Sequence, residues 1–216
     1  MPSGATVCDN VLPSMKETGE YAWLLAFEGE DAEANGAARS AAAAIRTSGI
    51  PGLVDVVPAA RTVLVLGSPE LDASRLEAFE AAPRHAGPAF SPRRHEIRMT
   101  PDGADLDEIA SRSGLSPDAF LAVFVQLDFT VGFLGFSPGF AYLYGLPKAF
   151  HLPRRGTPRA AVPAGSVALA GPYVGIYPAP TPGGWNLLGR TARRLFDLRA
   201  DPPFLFAPGD RVRFRL

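Results

Sequence analysis

Apolar positions in this chain come mostly in short runs bounded by turn residues, so the first reading is of many brief elements. Residues 21–27, YAWLLAF, fit a buried strand, although periodicity alone does not separate such a run from a helix. Residues 29–36 read as an acidic turn, and residues 35–47, NGAARSAAAAIRT, as an alanine-rich helix stopped by Gly49 and Pro51. Residues 53–57 and 62–66 are β-branched runs separated by four residues, which predicts an antiparallel pair. Asp72 is placed to cap a second helix running through Ala82, with Leu76 and Phe79 on one face. Proline and glycine across residues 83–92 end this unit, and residues 95–99 return as an extended strand. The order strand, helix, strand, strand, helix, strand predicts a ferredoxin-like α+β layer. Residues 1–20 read as a loosely docked leader.

Further along, Ser116, Pro117 and Asp118 supply an N-cap, a first-turn proline and a first-turn acid. They predict a helix to about Gln126 that buries Leu115, Phe120, Phe124 and Leu127. After Asp128 the pattern is strands and turns to the end. The last, RVRFRL, should place Arg211, Arg213 and Arg215 on one side and Val212, Phe214 and Leu216 on the other. Residues 132–191 are the densest in turn chemistry, with seven glycines and seven prolines between His151 and Arg190. This predicts a β-rich scaffold with a basic, aromatic-lined surface.

Composition adds class and compartment. With 216 residues, 47% hydrophobic, 20% charged and a net charge of −1, the chain is ordinary for one large or two small globular domains. The first residues lack a basic then apolar signal pattern, and no run reaches the length of a membrane span, so a cytoplasmic protein is expected. Charge is unevenly placed. Between Phe129 and Phe196 there is no Asp or Glu but seven Lys or Arg, so that segment carries +7 and the remainder, with 14 basic and 22 acidic residues, −8. A segment buried as strands would also exclude carboxylates, but it should exclude arginine too unless each is paired or stacked. The asymmetry therefore points to an anionic ligand or acidic partner.

The candidate anion or substrate ligands are Arg154, Arg155, Arg159 and Arg190, since a guanidinium grips carboxylate or phosphate in a bidentate fork. Tyr142, Tyr173, Tyr177 and Trp185 are candidates for a stacking wall. Other signals read as structural. Cys8 has no partner for a disulfide, and His85 and His95 lack acidic ligands beside them. Asp102, Asp105, Asp107 and Glu108 resemble an Mg²⁺ cluster but also suit a helix start, which is the favoured role. Residues 184–191, GWNLLGRT, come close to a phosphate-binding loop, yet WNLL is bulky and reads as strand. Ser166 lacks a nucleophile elbow, and His151 is the sole imidazole of the turn-rich region, too little for a base. No nucleic-acid motif is present. No catalytic residue and no metal ligand is assigned.

The runs GFLGFSPGFAYL, PRRGTPR, VPAGSVALAG, VGIYP and PGGWNLLGRT, with IPGLVDVVPAARTVLV at residues 50–65, resemble the KipI family. That family is also described as PxpB, the B-type component of 5-oxoprolinase, or as allophanate hydrolase subunit 1, and its domains recur in the carboxyltransferase part of urea amidolyase. The resemblance covers about residues 20–216 and makes Gly139, Phe140, Pro163, Gly165, Ser166, Gly183 and Gly184 the motif scaffold. It implies a small α+β domain over residues 21–94 and a cyclophilin-like β-barrel over residues 95–216. It further implies one member of a hydrolase complex rather than a stand-alone enzyme, opening 5-oxoproline to glutamate with ATP and Mg²⁺ engaged at the level of the complex. The implied partners are a second cyclophilin-like protein of KipA type and a LamB/YcsF-type protein. Alternatives are inhibition of a sensor histidine kinase and an allophanate hydrolase or urea carboxylase role. RMTPDGADL at residues 98–106, Val125, and Pro172 with Tyr173 depart from the family pattern, so no function is carried onto them, although Pro172 and Tyr173 are expected to reshape the pocket rim.

Overall fold

A computed structural model describes residues 14–79 and 92–216. Cys8, His85 and most of the proline-rich connector lie outside the described residues. The chain divides into two compact units, Met1–Ala89 and Phe90–Leu216.

The first unit holds β1 (Ser14–Gly19), β2 (Ala22–Ala26), α1 (Asp31–Thr47), β3 (Leu53–Pro58), β4 (Thr62–Gly67) and the single turn α2 (Ser74–Glu77). Its sheet has the order β1-β2-β4-β3, antiparallel throughout. The expected β3–β4 pair forms as read. Three other expectations change. Helix α1 starts four residues early, because Asp31 and Glu33 in its first turn suit the positive end of the helix dipole. Part of the supposed leader is an edge strand: β1 alternates weakly in sequence, and its pairing with β2 supplies what its own pattern does not. In a ferredoxin-like layer the strand after the second helix would lie beside the first strand. Here that place is taken by β1, and the strand at residues 94–98 belongs to the other unit. Helix α1 packs through Ala34, Ala37, Ala38, Ala41, Ala42 and Ile45, small residues that let it approach the sheet closely. Buried Asn35 donates from Nδ2 to the carbonyls of Ala59 and Ala60 at 3.1 and 3.2 Å, tying the helix to the β3–β4 turn. Asp72 accepts from the Ser74 N–H and hydroxyl just before α2.

The second unit comprises β5 (Arg94–Arg98), α3 (Leu106–Arg112), α4 (Pro117–Phe124), β6 (Phe129–Leu134), β7 (Ala141–Tyr144) and a 3-10 turn (Lys148–Phe150). Then follow β8 (Arg159–Val162), β9 (Ser166–Ala170), β10 (Tyr173–Ile176), β11 (Thr181–Gly183), β12 (Asn186–Arg190) and β13 (Arg211–Arg215). Seven strands form a sheet of order β12-β9-β10-β7-β6-β13-β5, and β8 and β11 pair separately. The sheet curls until its edges meet. Beyond β5 the chain bonds back to β12 through reciprocal Thr100–Arg190 bonds at 2.7 and 2.8 Å, then Gly103 N–H to Leu188 O and Asp105 N–H to Leu187 O. Helix α4 is capped as expected, the Ser116 hydroxyl accepting from Ala119 N–H, and Phe120 and Phe124 are fully buried. In β13, Val212 and Phe214 face inward and pack with Phe124 and Phe129, but Leu216 is exposed past the last ladder bond.

Strand β9 shows what lies on the two sides of the sheet. All five residues are buried. By the two-residue period Val167 and Leu169 join the main core, with Val174, Ile176 and Leu188, whereas Ala168 and Ala170 join a second cluster of Phe140, Val162, Tyr177, Trp185 and Leu187. That second cluster underlies the site described below.

At the start of β13, Asp210 is fully buried and accepts from Ala207 N–H, Arg93 N–H, the Arg93 guanidinium and His95 Nε2. Burial pushes its carboxyl up, but the hydrogen bonds from Ala207, His95 and Arg93 outweigh it and hold the group below the usual carboxylate range. A depressed native pKa contributes stability that is full above the unfolded value near 3.9 and lost as pH falls through the native one. Stability of the second unit should therefore drop below about pH 4, and Asp210→Asn should flatten that acid arm while lowering stability at neutral pH, as followed by urea unfolding at stepped pH. The seam gives another expectation. A Cβ on Gly103 would stand 2.3 Å from Leu187 O, so Gly103→Ala should cost about 2 kcal/mol or more in denaturant unfolding.

Candidate functional site

The second cluster opens to solvent as a hollow of about 240 Å³ lined by Phe136, Phe140, Tyr142, Arg154, Tyr177 and Trp185, with Pro158, Pro182, Gly183 and Gly184 at the rim. Its rings meet edge to face, as their quadrupoles favour: Phe140 lies 5.3 Å from both Tyr177 and Trp185, and Tyr142 lies 5.6 Å from Trp185. Two glycines leave the rings their space. A Cβ on Gly175 would come within 2.8 Å of Phe140 Cζ, and one on Gly183 within 2.4 Å of the Tyr177 oxygen. Burial pushes the phenols of Tyr142 and Tyr177 up, while the nearby Arg154 charge pulls both the other way and a backbone hydrogen bond from Trp185 also opposes it at Tyr177. Both therefore stay neutral hydroxyls at physiological pH. Phe136 is a member that the sequence pattern does not announce. It sits at φ +68° with 62% of its surface exposed, its ring edge-on to Phe140 and Tyr177. The one signal for it is a bulky residue inside the tight G-F-S-P-G turn.

The arginines divide into distinct roles. Asp105, 5% exposed, accepts from Arg155 Nη1 at 2.8 Å and Arg159 Nη2 at 2.7 Å on one oxygen, and from Leu187 N–H at 2.7 Å on the other. Arg190 grips Asp102 through Nε and Nη2 and lies outside the hollow. The expectation of arginines without acids is thus corrected. Their carboxylates come from residues 102 and 105, which the sheet seam brings across from far away in sequence. Asp105 leads into α3, as read, but its side chain does not cap that helix. Arg154 differs: among the described residues its guanidinium has no hydrogen bond or ion pair. Its backbone is nevertheless held, because buried Asn186 donates to Pro153 O at 3.0 Å and Arg155 N–H donates to Gly184 O at 2.8 Å. On its other side Arg154 lines a polar hollow of about 470 Å³ with Arg112, Arg155 and Thr157.

The structure brings Arg154, Tyr142, Tyr177 and Trp185 together, and leaves Arg190 apart. Tyr173, expected at the rim, stands behind the wall, edge-on to Tyr142 and 3.2 Å from the Tyr144 hydroxyl. Of the motif scaffold, Phe140, Gly183 and Gly184 line the hollow, whereas Pro163, Gly165 and Ser166 form the turn into β9. Gly165 (φ +80°) is required there, since a Cβ would lie 2.2 Å from Thr191 O. Gly139 packs against Phe196. His151 donates from Nε2 to Leu146 O and does not line the hollow. Residues 186–190 form strand β12 paired with β9, so no phosphate loop exists there. Asp102 and Asp105 are committed to arginines, Glu108 to Arg112 and Arg155, and no group of three metal-binding side chains occurs among the described residues. This donor set does not fit Mg²⁺. Nor is any helix among the described residues long and apolar enough to cross a membrane.

Residues 13–206 match the family described as carboxyltransferase domain, subdomain C and D. The chain belongs to this family. Within it, the chain is 40% identical over 173 residues to the B-type component of 5-oxoprolinase from Escherichia coli O157:H7, covering 76% of this chain and 78% of that one. It is 31% identical over 224 residues to the protein of the same name from Bacillus subtilis (strain 168), covering 93% and 91%. The crystal structure of TTHA0988 is similar with a TM-score of 0.78 and 42% identity over 91% of this chain, which spans 39% of that longer protein. The urea amidolyase of K. lactis, at 19% identity and a TM-score of 0.72, shares the fold over 94% of this chain and 15% of its own.

Asp105→Asn should lower stability by about 2 kcal/mol or more, since it leaves two guanidiniums facing an amide where a buried carboxylate stood. Equilibrium unfolding at pH 7 measures this; an unchanged midpoint would show that the seam does not need the charge.

Proposed function

We propose that this chain is the B-type component of a 5-oxoprolinase, acting in an assembly that opens the lactam of 5-oxoproline to glutamate. The shared name of its relatives supports the reaction class, and one observation carries the assignment to a place: Arg154 stands uncommitted at an aromatic hollow. A five-membered lactam carrying one carboxylate matches that chemistry. Its carboxylate faces Arg154 and its ring the edges of Tyr142, Tyr177 and Trp185, in a volume suited to a ligand smaller than drug-sized ones. The chain's own contribution is to hold and orient the substrate and shield it from water. Among the described residues no free base lines the hollow, so the groups that move protons come from companion chains, on this reading a KipA-type cyclophilin-like protein and a LamB/YcsF-type protein in the cytoplasm. ATP and Mg²⁺ likewise belong to the assembled complex, since Asp102, Asp105 and Glu108 are committed to arginines. In the same reading the larger unit is a cyclophilin-like barrel, and the smaller a ferredoxin-like layer whose outer strand has been exchanged for β1.

A second reading rests on Phe136. An exposed ring in a left-handed conformation, standing over the hollow, suits insertion into a partner, as a module inhibiting a sensor histidine kinase would require. Co-expression with the companion proteins and an assay of ATP-dependent glutamate release from 5-oxoproline tests the first reading. Arg154→Ala should lower kcat/KM about 30-fold, the equivalent of about 2 kcal/mol. Full activity of the companion proteins without this chain sinks the proposal, and Phe136→Ser abolishing kinase binding with turnover intact would favour the second reading.

A further inference from the structure

On another part of the larger unit, an open cleft of about 450 Å³ is lined by Arg98, Thr100, Arg190, Thr191 and Arg193, with Glu96 also in its wall. It shares no lining residue with the aromatic hollow. Its floor is the seam itself. Reciprocal backbone bonds join Thr100 to Arg190, and Thr191 N–H donates to Gly165 O at 2.8 Å, so the residues that bear the polar groups are fixed in place. Arg190 is oriented by Asp102 through Nε and Nη2, which leaves Nη1 uncommitted. Among the described residues the Arg98 and Arg193 side chains have no hydrogen bond or ion pair, and both are exposed. Thr191 Oγ1 accepts from Arg193 N–H, so its own proton is left to donate outward.

The charges do not balance within the cleft. Glu96 is engaged by Arg215 at 2.8 Å and Asp102 by Arg190, which leaves the charges of Arg98 and Arg193 in excess. We infer that this cleft binds the phosphoryl group of a phosphate ester or pyrophosphate. Two surplus guanidiniums match an anion of about two negative charges. Three arginines and a hydroxyl donor line the same cleft, a donor set in keeping with a tetrahedral group that has three terminal oxygens to satisfy. The cleft is large enough for more than the phosphoryl group alone. This inference stands independently of the lactam assignment.

Isothermal titration of the full chain with pyrophosphate, inorganic phosphate and malonate tests it. Pyrophosphate should bind saturably and more tightly than malonate, and the affinity should fall with added salt. The double variant Arg98→Gln, Arg193→Gln should weaken pyrophosphate at least about tenfold, because both surplus charges are gone. Arg154→Gln should leave it unchanged. Thermal unfolding confirms that the double variant is folded, as expected for two exposed side chains. Absence of saturable binding at millimolar pyrophosphate, equal affinity for malonate, or loss of binding through Arg154→Gln instead of the double variant would each overturn the assignment. A folded Arg154→Gln chain that still binds pyrophosphate but fails in the oxoprolinase assay would separate the two sites.

Discussion

A carboxylate taken out of water must be surrounded by donors or it destabilises whatever surrounds it. Asp105 meets that condition with two guanidiniums and one backbone N–H, and much of the larger unit is arranged to supply them. Leu187 comes from β12, Arg159 from the start of β8, and Arg155 from the loop between the 3-10 turn and β8. One buried oxygen pair therefore fixes where the sheet closes and how the loop bearing Arg154 runs. Because Asp105 holds the two neighbouring arginines, Arg154 is the one left facing the hollow. Of the three arginines on this stretch, only one therefore brings an uncommitted charge to the hollow.

Much of the fold is legible from local pattern. The Ser116 cap, the β3–β4 pair and the inward Val212 and Phe214 all depend on residues within a few positions of each other, where periodicity and capping chemistry apply directly. What local pattern does not carry is pairing across the closed sheet. Asp105 precedes Arg155 by fifty residues and Asp102 precedes Arg190 by eighty-eight, so three arginines of a segment that looks free of acids are in fact paired with acids from elsewhere. Strand β1 escapes the pattern for a related reason. SMKETG has little strand character of its own and becomes a strand because β2 offers it an unpaired edge.

The site is legible in part. Arginine and aromatic side chains are expected near one another, and Arg154, Tyr177 and Trp185 do share the hollow. Which arginine remains uncommitted is not readable, because PRRGTPR offers three in nearly identical surroundings and only tertiary contacts distinguish them. Phe136 is equally hidden, since its place follows from a backbone angle that turn residues around it make accessible. The second cluster has no sequence signature either. Strand β9 is apolar on both faces, and a continuous apolar run does not say that one face serves the core while the other serves a site.

The seam also links the state of the site to a single observable proton. The Leu187 amide donates to the same carboxylate that holds Arg155 and Arg159, and it lies in β12 where the sheet's two edges join. Any opening that releases this proton to solvent must also release the carboxylate from its backbone anchor. Exchange of that one amide with deuterated water therefore reports how often the arginine loop comes loose, on a scale set by local opening rather than global unfolding.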